Sequence, residues 1–92
     1  MNRLEKKLFR IADRLQQLSQ EEKAVREELD MHRSINEDAQ ADAAIGNYID
    51  REEAGLTRKD VERFERSLAS LQERREKLET SRLRLLEKLE KK

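Results

Sequence analysis

Large apolar residues recur along the first part of the chain in alternating steps of four and three: Leu4, Leu8, Ile11, Leu15, Leu18, Val25 and Leu29, with Glu22 standing at one step and His32 closing the run. This is the a/d seam of a coiled-coil helix, which keeps about one side chain per turn on the same side. A second run steps by three and four through Val61, Phe64, Leu68, Leu71, Leu78, Leu85 and Leu89, with Arg75 and Arg82 at two of its positions. Read backwards, it has the spacing of the first run, so the two seams match when the helices lie antiparallel. Facing residues then have numbers that add to 93: Leu4 with Leu89, Leu15 with Leu78, Leu29 with Phe64, His32 with Val61. In that register Glu22 and Arg75 fall in adjacent layers, close enough to pair. A polar pair in a seam specifies alignment at some cost in stability.

Capping patterns divide the chain further. The expected fold is all-α, an antiparallel two-helix coiled-coil hairpin with a short helical tip. It is a single domain over residues 1–92, with helix one over 1–45, the tip over 46–56 and helix two over 57–92. Thr57 with Asp60 has the form of a capping box and Leu56 can staple onto Val61, so helix two is predicted to begin near Arg58. Ser34 with Glu37 makes a second box, which either breaks helix one or lies idle on it. Gly46 suits the position after a helix end, Asn47 with Asp50 the start of a short tip helix, and Gly55 its end. Three helical pieces and no strand are expected.

Composition narrows the function classes. Charged residues make up 46% of the chain against 35% hydrophobic and 3% aromatic, which leaves no material for a thick globular core. Two glycines and no proline cannot supply the turns of a β-barrel or an α/β nucleotide fold. With no cysteine there is no disulfide framework or thiolate metal site, and with no long apolar run there is neither a membrane-spanning helix nor a secretory signal, so a cytoplasmic location is expected. His32 is the only histidine, and its place at the end of the seam suits packing. No catalytic residue, cofactor or metal site is expected, and the chain reads as a non-enzyme. The basic residues of the second helix are interleaved with acids, the pattern of an ion-paired surface and not of one that binds nucleic acid. A membrane partner is not expected either.

Net charge is zero, yet residues 27–53 carry nine acidic and two basic side chains, a local charge of minus seven. Like-charge repulsion works against a helix, so folding gives no reason to gather these acids together. Glu37, Asp38 and Asp42, with Glu52 and Glu53, are therefore the candidate partner-binding tip, suited to a basic protein surface. The first three also offer oxygen ligands. In isolation they read as a solvated acidic tip, whereas a partner's carboxylates could complete a shared metal site. At the open end of the hairpin, Phe9 and Ala12 on helix one and Leu83 and Leu86 on helix two lie beside the seam and widen its apolar stripe. They form a candidate association surface for a homo-oligomer or a hetero-complex.

Residues 32–44, H-R-S-I-N-E-D-A-Q-A-D-A-A, resemble the coiled-coil tip of the Gre transcript-cleavage factors, whose pattern is of the type H-G-D-L-S-E-N-A-E-Y-D-A-A. Glu52, Glu53 and Gly55, followed by Val61, Phe64, Glu65 and Leu68, are similar to the E-E-x-G stretch and heptads of that family. The resemblance implies a hairpin that enters the secondary channel of bacterial RNA polymerase, where acidic tip residues help to hold a catalytic magnesium ion. Glu37 matches the second tip acid of the family, and Ser34 stands where the first belongs. Two readings follow: a non-catalytic coiled-coil interaction or assembly module with an acidic tip for a partner protein, or a transcription regulator whose tip enters RNA polymerase.

Overall fold

In the computed structural model, which describes residues 2–46 and 48–91, the chain is an antiparallel two-helix coiled-coil hairpin. Helix α1 spans Arg3–Ile45 and helix α2 spans Tyr48–Glu90. No strand occurs among the described residues. Asn2 caps α1: its side-chain oxygen accepts the backbone N–H of Glu5 at 2.8 Å, satisfying one of the amides that a helix start leaves without a partner.

The predicted division into three helical pieces is corrected. α2 begins at Tyr48, ten residues ahead of Arg58, and runs unbroken through Gly55 and Thr57, so residues 48–56 belong to α2 and form no separate tip helix. Thr57 is not a cap. Its hydroxyl lies 3.0 Å from Asn36 Oδ1 on α1 and 3.1 Å from the Ala54 carbonyl one turn back. A hydroxyl with a helical carbonyl and a cross-helix acceptor within reach is satisfied in mid-helix, and the capping option is forgone. Gly55 costs the helix some stability without ending it. Ser34 likewise lies inside α1, and its box with Glu37 is idle. The helix start read at Asn47 falls outside the described residues.

Gly46 follows the end of α1, as expected, although it does not adopt a left-handed conformation. It is needed for space. A β-carbon at that position would stand 2.6 Å from the Asp42 carbonyl oxygen and would also collide with the Asp50 carboxylate.

The hairpin comprises two compact units, Met1–Glu22 with Ser70–Lys92, and Lys23–Ala69. In the first, Leu18 is fully buried and Glu22 almost so, whereas Leu4, Leu8, Ile11, Leu85 and Leu89 are only half-buried. In the second, Leu29, Ala54 and Val61 form the buried core. The seam runs further toward the turn than its large apolar residues indicate. Asn36, Ala39 and Ala43 continue the steps of α1, while Ala54 and Thr57 continue those of α2. Asn36 meets Thr57, a pair whose numbers add to 93, and Gln40 Nε2 donates to the Ala54 carbonyl at 3.0 Å. His32 stacks on Phe64, with ring centroids 4.6 Å apart, so its ring contact is one layer away from the expected Val61. In an antiparallel seam each side chain sits between two residues of the facing helix, and both contacts belong to the same register.

Candidate functional site

The interhelical polar pair of the first unit is formed. Arg75 Nε donates to both carboxylate oxygens of Glu22, at 3.0 and 3.1 Å, and its Nη1 donates to Glu79 at 3.2 Å. The two partners differ in environment. The Glu22 side chain is 6% exposed and the Arg75 side chain 30% exposed. The hydrogen bond to Glu22, followed by that to Glu79, raises the Arg75 guanidinium pKa above its ordinary value. Arg75 reaches Glu22 from a partly exposed position, where a second acid, Glu79, also meets its guanidinium. Every buried side-chain nitrogen and oxygen among the described residues has a hydrogen-bond partner.

The acidic residues of the tip do not act as one cluster. Asp38, Asp42 and Glu53 line a shallow groove between the helices together with Ile35, Ala39, Leu56 and Thr57. Glu37 and Glu52 are exposed but do not line it. Helical periodicity explains the separation. Ile35, Asp38 and Asp42 recur in steps of three and four and so share a face of α1, while Glu37 points away from it. The same steps extend that stripe to Met31 and Ile45, and on α2 they connect Ile49, Glu53 and Leu56. All five of the apolar members are substantially exposed, Ile45 at 91% and Ile49 at 62%. The tip is thus an apolar strip with carboxylates set along it, and its apolar half was not anticipated from sequence. The signal was present: Met31, Ile35 and Ile45 repeat the period of the seam beside it, as do Ile49 and Leu56.

His32 is half-buried against Phe64, with Nε2 3.8 Å from the Glu28 carboxylate. On the facing helix the Arg63 guanidinium lies over the Phe64 ring, 5.3 Å from its centroid, and Arg33 reaches Glu65 across the helix pair at 3.7 Å. The His32–Phe64 stack and the Arg33–Glu65 pair tie the two helices together just below the groove. No group of three or more His, Asp or Glu side chains converges in a way that could hold a metal ion among the described residues.

At the open end, Phe9, Ala12 and Leu86 line a second groove with Leu8, Glu5 and Arg82. Phe9 is 60% exposed and Leu83 58% exposed. Leu83 does not line the groove itself but lies three residues from Leu86, which places it on the adjoining surface of α2. No helix among the described residues is long and apolar enough to cross a membrane. Comparison of the chain with family models, curated proteins and solved structures gave no match to any of them.

Proposed function

We propose that the chain is a non-catalytic coiled-coil interaction module whose tip groove receives an amphipathic segment of a partner protein. The observation that carries this reading is the alternation of exposed apolar and acidic side chains along one face, Ile35 and Leu56 with Asp38, Asp42 and Glu53. A helix laid into such a groove would bury its apolar residues on Ile35, Ala39 and Leu56 and present lysine or arginine to the three carboxylates. The carboxylates select for basic partners and speed encounter, while the apolar strip supplies most of the burial.

A second reading, insertion of the tip into the secondary channel of RNA polymerase, rests on the resemblance of residues 32–44 to the Gre tip and on the exposure of Glu37 at its matching position. The two readings assign the function to different acids. Full-length chain carrying a photo-crosslinking residue at position 35 or 56 is expressed in its native cells, in the background of either Asp38→Asn, Asp42→Asn and Glu53→Gln together, or Glu37→Gln and Glu52→Gln together. The groove reading expects a discrete cross-linked partner that the first set abolishes and the second leaves intact. The opposite result, with polymerase subunits captured only when Glu37 is present, supports insertion.

A further inference from the structure

We propose that the open-end groove is closed by a second copy of this chain, in a two-fold symmetric contact that sets Glu5 of each copy against Arg82 of the other. The first support is incomplete burial. Around this groove the seam residues Leu4, Leu8, Ile11, Leu85 and Leu89 remain half-buried, although they occupy the positions that a coiled coil ordinarily encloses. Phe9 and Leu83 beside them are more than half exposed. Two helices alone leave this stripe in water, and a thin core gains most from a further layer.

The second support is charge, and it selects the occupant. Glu5 and Arg82 line the same groove, yet neither forms an ion pair among the described residues. A wholly basic ligand would leave Arg82 facing its own sign, and a wholly acidic one would do so to Glu5. A surface that carries one charge of each sign at an apolar patch can complement a second copy of itself, because a two-fold axis brings residue i to j and j to i simultaneously. Phe9, Ala12 and Leu86 would form the dry centre of that contact, with the two charge pairs at its rim. This inference is independent of the tip reading.

The test is sedimentation equilibrium on the full chain and four variants, with helicity followed by circular dichroism. The wild-type chain is expected to dimerise. Changing Phe9→Ser and Leu83→Ser together, at two exposed positions, should yield a helical monomer. Glu5→Arg or Arg82→Glu alone should raise the dimer dissociation constant at least about tenfold by placing like charges together, and the two combined should restore it. A wild-type chain that stays monomeric up to its solubility limit would overturn the proposal. So would a dimer indifferent to Phe9 and Leu83, or a double charge exchange no tighter than the single ones.

Discussion

Exchanging Arg75 for leucine should damage the hairpin far more than exchanging Glu22, although the two residues form one ion pair. The asymmetry comes from burial. Arg75→Leu leaves the Glu22 carboxylate, on a side chain only 6% exposed, without its donor. Stranding a buried charge in this way costs about 3–5 kcal/mol. For a domain of this size even the lower figure lowers the melting temperature by about 12 °C or more. Glu22→Leu leaves Arg75 in a better position, since its side chain reaches the surface and keeps Glu79 at 3.2 Å. Replacing both residues removes the desolvation penalty and adds apolar packing beside Leu18 and Leu71, so the double variant should equal or exceed the parent in stability. Thermal and urea denaturation followed by circular dichroism, repeated over a range of protein concentrations to separate folding from association, gives the order directly. Equal losses for the two single changes, or a double variant weaker than Glu22→Leu alone, would refute the assignment of the penalty to the buried carboxylate.

Further changes probe other parts of the hairpin. Gly55→Ala should stabilise by about 1 kcal/mol, because a β-carbon there meets nothing within 4 Å and glycine is a poor helix former; urea titration would show it as a higher midpoint with unchanged slope. Gly46→Ala should destabilise, since the new methyl is driven against the Asp42 carbonyl; a neutral result would mean that the turn relaxes freely. Leu18→Ala, at the fully buried position, should cost about 2–5 kcal/mol by the same assay. Thr57→Val keeps the shape but removes the hydroxyl that reaches Asn36, and should cost about 1 kcal/mol while leaving helix content unchanged, where a true cap would also have shortened α2.

The fold was legible because the seam is periodic. Alternating steps of four and three on both helices leave little freedom except direction and register, and the constant sum of facing numbers supplied both. What the pattern concealed was the course of the chain near the turn. Thr57, Asp60 and Gly55 together carry the letters of a helix boundary, yet tertiary contacts decide whether those letters are used. Once α2 lies against α1, Thr57 finds Asn36 and Gln40 finds the Ala54 carbonyl, so continuing the helix satisfies more polar groups than breaking it. The cap that does operate is Asn2, whose side-chain oxygen accepts the backbone N–H of Glu5 three residues on.

The candidate surfaces were harder to read, and the reason is geometric. Periodicity identifies residues that face inward, and it says nothing about which outward residues of two different helices become neighbours. In an antiparallel pair each flank of one helix meets the corresponding flank of the other, so a flanking stripe on α1 and one on α2 make a common surface only when both lie on the same side of their seams. At the tip, Met31, Ile35, Asp38, Asp42 and Ile45 meet this condition with Ile49, Glu53 and Leu56, and the groove lined by Ile35, Asp38, Asp42, Glu53 and Leu56 is the direct sign of it. Glu37 and Glu52 do not meet it. A charge count over residues 27–53 treats all nine acids alike, whereas the helices set three of them beside apolar groups and leave Glu37 and Glu52 in open water. A carboxylate beside an exposed isoleucine faces a lower local dielectric when a partner covers both, and salt screens it less there than it screens Glu37 or Glu52. On the proposed groove reading, partner selection at this tip would fall to Asp38, Asp42 and Glu53, and the surplus acids around them would act chiefly through the long-range field that steers a basic segment into the groove.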